Sequence, residues 1–321
     1  MRHRPIKISL VTAAAATLTL ITGASAGAAT APVSNPQIRA AFDFSLGQTA
    51  EAVAIEPSGK ADVSLAEANE VVQVAPDGAV TPFPALPSGG TCPVAGTTST
   101  VGIAYNRGSV YVVECSGDAH TGVWRLRHGA PPEQIAQLPA NGFPNDMAID
   151  PSTGVLYVAD SVLGEVFAVP TRHGAGSGLG SAMVWAVGSA LQKTSFIGAN
   201  GIDVHNGAVW VSNTDQATIL RIPIQADGTA GPIGTAVTGL DGGIDNFTVV
   251  GADDTIIAAQ TLTDEVEIIK GGAAPQVVLT AADGLSNPTD AKVHNGKLYV
   301  TSGGFVHLGG SNLLVADIAL P

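Results

Sequence analysis

The sequence predicts an all-β, six-bladed β-propeller, its ring closed by an N-terminal strand that joins the last blade. Three observations predict it. An apolar strand, a Gly/Asn/Asp turn and a second apolar strand recur six times. Equivalent first positions fall at Glu51, Val101, Asn145, Asn200, Asp245 and Thr289, separated by 50, 44, 55, 45 and 44 residues. The 321 residues include 39 Gly and 20 Pro beside 45% hydrophobic residues, a mixture that suits a large core cut by many turns and leaves little room for long helices.

In chain order, the first segment is a leader. Arg2, Arg4 and Lys7 precede a largely apolar run from Ile8 to Ile21 and the small residues Ala24-Ser25-Ala26, the pattern of a secretory signal peptide over 1–26 cleaved after Ala26. The apolar run is short for a bilayer, and no stop-transfer segment follows, so no membrane span is expected. The leader carries three basic residues and no acid, so cleavage takes the net charge from −13 to −16. That charge, with no Lys/Arg stripe, excludes nucleic acid as a main partner. The expected product is a secreted, soluble, acidic monomer with 27–39 as linker and 40–321 as one propeller domain.

The strand expected to close the ring is Ala41-Phe42-Asp43-Phe44-Ser45-Leu46, because the sixth unit reaches Pro321 with about three strands drawn. The first unit starts near Glu51 and turns at Pro57-Ser58-Gly59; the second starts near Val101 and turns at Asn106-Arg107-Gly108. Cys92 and Cys115 are the two cysteines, and an even count in an oxidising compartment favours a disulfide over two free buried thiols. The third unit runs Asn145–Asp150, turns through Pro-Ser-Thr-Gly and continues Val155–Asp160. In the fourth and sixth, His-Asn-Gly turns follow Val204 and Val293; the fifth turns at Gly251–Asp254.

In a propeller the innermost strand of every blade starts on one face, so the six first positions converge on one axis. Glu51, Asn145, Asn200 and Asp245 offer two carboxylates and two amide carbonyls, an oxygen-only set suited to Ca²⁺, Mg²⁺ or Mn²⁺. Taken singly, each is a residue common beside turns; their shared register is what points to a cation.

These residues resemble the regucalcin/gluconolactonase family of six-bladed propellers, which bind one divalent metal through Glu, Asn, Asn and Asp. The matching segments are Ala-Glu51-Ala-Val, Pro-Asn145-Asp-Met, Ala-Asn200-Gly-Ile and Ile-Asp245-Asn-Phe, in the family's order. The resemblance implies that Glu51, Asn145, Asn200 and Asp245 are ligands of one divalent metal ion, Ca²⁺ foremost and Mg²⁺, Mn²⁺ or Zn²⁺ as alternatives. It also makes Asp245 the general base of a lactonase or esterase acting on a small lactone or ester. A non-catalytic propeller that keeps the fold, and with it the ion, is the alternative. Two departures stand out: Asn246-Phe247 follow Asp245 where the family usually has Gly, and Phe143 stands where sugar-lactonase members often place an Arg two residues before the ligand Asn. With Val101 and Thr289, Phe143 predicts a mouth less polar than a sugar needs.

Other candidates have simpler readings. His205 and His294 flank hairpin turns, and His120, His128, His173 and His307 lack ligand spacing. Gly174–Gly180 lacks the Lys-Ser/Thr of a phosphate loop and reads as an interblade link. Ser161 has no nucleophile elbow and reads, with Asp160, as a turn stabiliser. Trp124, Trp185 and Trp210 sit in apolar strands as packing residues.

Overall fold

The structure is a computed structural model that describes residues 31–320 except 88, 172–179 and 272. The leader, its cleavage site and His173 lie outside the described residues, as does most of the Gly174–Gly180 link. The described residues form six antiparallel sheets of four strands each, one of them extended by the two-residue strand Gly180–Ser181, which pairs parallel to Ala136–Gln137. Two 3-10 turns, Phe44–Leu46 and Ala281–Asp283, are the helical segments among the described residues, and no described helix is long and apolar enough to cross a membrane.

The innermost strands of blades one to six are Ala50–Ile55, Ser99–Asn106, Pro144–Asp150, Ala199–His205, Ile244–Val250 and Pro288–His294. The sequence turns are where the repeat puts them. Asn206-Gly207 and Asn295-Gly296 both carry two positive φ angles, 46° and 67°, 48° and 74°. This is the two-residue hairpin geometry that Asn-Gly adopts with least strain. Strand alternation gives each blade two apolar faces, and neighbouring blades share them. One core between blades three and four joins Tyr157 and Val166 to Ile202 and Leu220; another between six and one joins Leu313 and Tyr299 to Val53 and Leu65. The remaining junctions are filled likewise. Each fully buried Leu, Ile or Val contributes about 1.5–3 kcal/mol, so it is the junctions that hold the ring.

The ring closes as expected in topology but not in position. Val33–Ala41, not Ala41–Leu46, is the outer strand of blade six, paired antiparallel to Asn312–Ile318; it begins inside the segment expected to be linker. Ala41–Leu46 alternates like a strand, but the Asp43 carboxylate accepts from Ser45 N at 2.9 Å and starts a turn, which Gly47 ends at φ 75°. The true closing strand is hidden in the sequence because most of its residues face solvent, and Asn35 (φ 53°) and Pro36 interrupt its pairing.

Candidate functional site

All six inner strands lose regular pairing near their starts. The register slips between Ala50 and Val53, Thr100 and Ile103, Pro144 and Met147, Ala199 and Ile202, Ile244 and Phe247, and Pro288 and Asp290. A β-bulge re-aims side chains out of the ordinary alternation, and the slipped residues include every first position of the repeat. Glu51, Asn145, Asn200, Asp245 and Thr289 accordingly line one small space on the propeller axis, with Ala52, Gly102, Asp146 and Asn246. It offers about 10 Å³ to the centre of a water-sized sphere, room for a single ion or water. The sequence-predicted set is thus brought together.

Val101 and Phe143 are not at its mouth. Both are buried in an apolar cluster with Ile197 and the Cys92–Cys115 disulfide, which does form. Gly102 takes the place on the axis that Val101 was expected to fill, and only glycine fits there: a Cβ would stand 2.5 Å from Asp146 Cα. Gly201 meets Asn246 Cα at the same 2.5 Å.

Hydroxyl groups fix the two amides. Ser161 Oγ donates to Ala199 O at 2.6 Å, so it can only accept from Asn145 Nδ2 at 3.0 Å. Thr214 Oγ1 donates to Ile244 O at 2.7 Å and accepts from Asn200 Nδ2 at 2.9 Å. A hydroxyl has one proton; with both spent on backbone carbonyls, each Asn must turn its nitrogen to the hydroxyl and keep its carbonyl oxygen for another partner. Ser161 is therefore an orienting residue, while Asp160 alone holds the turn, accepting from Val162 and Leu163 N at 3.0 and 2.8 Å. Thr261 Oγ1 lies 3.1 Å from Asp245 Oδ2 and 2.8 Å from Pro288 O. Thr289 is spent on the protein, its Oγ1 bonding Ala50 O at 3.0 Å.

One register position further on lies a polar layer that the sequence reading missed. Asp146 Oδ2 accepts from Asn246 Nδ2 at 2.6 Å and Ile202 N at 3.1 Å. Asp290 accepts from Val53 N at 2.9 Å and pairs with Lys292 Nζ at 3.0 Å. Lys292 also donates to Phe247 O at 3.0 Å. All of these except the Asp290–Lys292 pair run between inner strands of different blades. The available signal was the repeat column after the ligands, which reads Ala52, Gly102, Asp146, Gly201, Asn246 and Asp290.

Electrostatics on the axis favour an added cation. Burial pushes the Glu51 carboxyl well above its ordinary value, and the charges of Asp245, Asp146 and Asp290 push it further. Burial also raises Asp245 to about 7, against hydrogen bonds from Thr261 and Asn200. Asp146 rises to about 7 through burial, although Lys292 opposes it. Burial disfavours the Lys292 ammonium, yet Asp290, Asp146 and Asp203 outweigh it and raise its pKa. Glu51, Asp146, Asp245 and Asp290 thus crowd the axis beside the Lys292 ammonium, and Glu51 Oε2 is buried without a hydrogen-bond partner. An orphaned acceptor, two carbonyl oxygens held free and excess negative charge around an ion-sized space all fit a divalent cation. Among the described residues no group of three or more His, Cys, Asp or Glu could hold a metal, so any such site depends on the two amides. His205 and His294 lie elsewhere: His205 Nε2 bonds Gly251 O at 2.6 Å and His294 Nε2 bonds Asn295 Nδ2 at 2.9 Å, both at hairpin turns.

No family profile and no curated protein sequence matches the chain. Solved structures do. Regucalcin from Agrobacterium tumefaciens, described as a calcium-binding protein, superposes with a TM-score of 0.62 at 16% identity, over 89% of this chain and 96% of that one. A protein designated a gluconolactonase gives 0.61 at 18%, over 89% and 92%. An aldose sugar dehydrogenase from Streptomyces coelicolor in its PQQ-bound form gives 0.61 at 13%, over 90% and 100%. At these identities the likeness is one of fold, and in fold this chain is a six-bladed propeller of the kind seen in regucalcin and gluconolactonase.

Proposed function

We propose that the chain is an exported, metal-dependent hydrolase of the lactonase or esterase type. The observation that carries this reading is the convergence of Glu51, Asn145, Asn200 and Asp245, on equivalent bulges of four blades, around one ion-sized space. Those four residues would hold the cation, which when bound polarises an ester or lactone carbonyl as a Lewis acid. Asp245 would take the proton of the attacking water through the carboxylate oxygen not bound to the ion; burial raises its pKa in the metal-free site, and a bound cation would lower it. Asn145 and Asn200 present carbonyl oxygens in a fixed orientation set by Ser161 and Thr214. Likeness in fold to a protein designated a gluconolactonase and to a regucalcin described as calcium-binding supports the reading.

The test is a panel of lactones and aryl esters assayed with Ca²⁺, Mn²⁺, Zn²⁺ or EDTA. Turnover that requires a divalent ion and falls by at least a hundredfold in Asp245→Ala is the expected result. Metal binding with no turnover across the panel would instead identify a non-catalytic binding propeller.

A further inference from the structure

Beside the axial space, between blades four and five, a cleft of about 450 Å³ opens on the same face. Asn200 and Asp245 belong to its lining, so it leads to the axial cluster. A cavity of this size suits a small organic ligand.

Two of its walls are large apolar side chains left in solvent, Phe196 at 64% and Leu262 at 68% exposure. Neither sits on a loose loop. The Asp215 carboxylate gathers the successive N–H groups of Thr194, Ser195, Phe196 and Ile197 at 2.9, 2.6, 2.8 and 3.2 Å. These four bonds outweigh its partial burial and hold the carboxyl below its ordinary pKa, so Asp215 is committed to the loop. Opposite, Leu262 N donates to Gly242 O at 2.8 Å, and its side chain covers Gly243, where a Cβ would lie 2.7 Å from Leu262 Cγ. Fixing an exposed aromatic and an exposed leucine across a cleft costs hydrophobic free energy, which a ligand that covers them returns.

The charges of the cleft select against anions. Its lining has Asp215, Asp241 and Asp245 but no Lys, Arg or His. A carboxylate or phosphate would meet acids, and a polyhydroxylated ring would meet Phe196, Ile197, Leu240 and Leu262 with few free polar partners.

We propose that this cleft takes the apolar limb, an alkyl chain or aryl ring, of an uncharged ester or lactone whose carbonyl lies at the Asn200–Asp245 end, with Phe196 and Leu262 setting the preference. The ester part of this statement rests on the hydrolase reading above; the apolar cleft does not. The test uses two series on the metal-supplemented protein: p-nitrophenyl esters from acetate to octanoate, and N-alkyl lactams from methyl to octyl, whose binding is followed by calorimetry. The expected result is that kcat/KM and affinity each rise severalfold per two methylenes until the cleft is filled. Phe196→Ser and Leu262→Ser should each cut the octanoate-to-acetate ratio at least fivefold, with Phe196→Leu retaining most of it. Both positions are exposed, so the variants should melt like the parent. Ester turnover indifferent to chain length and to both substitutions would overturn the cleft and leave the hydrolase standing. Chain-length-dependent lactam binding, lost in Phe196→Ser without turnover of any ester, would overturn the hydrolase and leave the cleft standing. Absence of chain-length dependence in both series would overturn the cleft proposal outright.

Discussion

A single hydroxyl proton decides which end of each axial Asn is free. Because Ser161 and Thr214 donate to backbone carbonyls of the following blade, Asn145 and Asn200 are held as acceptors whether or not an ion is present. Elsewhere a residue is left without such support. Glu114 is fully buried, neither carboxylate oxygen has a hydrogen-bond partner, and burial raises its pKa to about 8, with the Asp118 charge adding to the shift. A carboxyl raised in the folded state binds its proton there while the unfolded chain has already lost it, so stability falls as pH rises from about 4.5 to about 8. Glu114→Gln should remove that slope. Its melting temperature should match the parent near pH 4.5 and exceed it by several degrees above pH 8, where the parent carries an unpaired buried charge; an unchanged difference across this range would refute the assignment. The four axial residues were legible in the sequence because the repeat register marks them. Asp146, Asn246 and Asp290 were not, because their repeat column mixes acids and amides with Ala52, Gly102 and Gly201, nor was Lys292, two residues beyond Asp290; what joins them is proximity on the axis.

Inner strands start with a bulge in all six blades, and that shared irregularity turns a repeat position into a ring of converging side chains. Period-two alternation in the sequence locates strands and turns but carries no trace of these slips, so convergence could be expected from the fold though not its means. The closing strand shows the opposite failure. Ala41–Leu46 has the apolar alternation and forms a capped turn, while Val33–Ala41 lacks it and forms the strand, since an outer strand has one solvent face and its hydrogen bonds do not depend on apolar period. Deleting residues 33–41 removes buried Val33 and Ala40 and the pairing with Asn312–Ile318. Each apolar group and each hydrogen bond contributes about 1 kcal/mol or more, so the melting temperature should fall by about 10 °C. The bared edge should also promote association, visible by size-exclusion chromatography. Deleting only residue 31, before the Pro32 carbonyl that accepts from Ala319 N, should do neither; equal effects would contradict the assignment of the closing strand.

Across the whole molecule, the propeller gathers Glu51, Asn145, Asn200 and Asp245 from four blades, so one ion would add a further tie between elements already joined by their junction cores and by the polar layer on the axis. The fold was legible because junction packing demands apolar strands at near-constant spacing. The cleft was not, because Phe196 and Leu262 lie in loops that differ from blade to blade, and nothing in the sequence distinguishes a presented aromatic from a buried one. The central claim, that the axis holds a divalent cation, is tested most directly by thermal melting of the chelated protein during Ca²⁺ titration, with bound metal counted by elemental analysis. An ion that binds only the folded state stabilises it by about 2.7 kcal/mol at a hundredfold excess over its dissociation constant, a rise of roughly 5–10 °C. One equivalent of metal and such a rise, both lost in Glu51→Ala, Asn200→Ala and Asp245→Ala but kept in His205→Ala, is the predicted result. No bound metal and a melt indifferent to EDTA, Ca²⁺, Mg²⁺, Mn²⁺ and Zn²⁺ would contradict it.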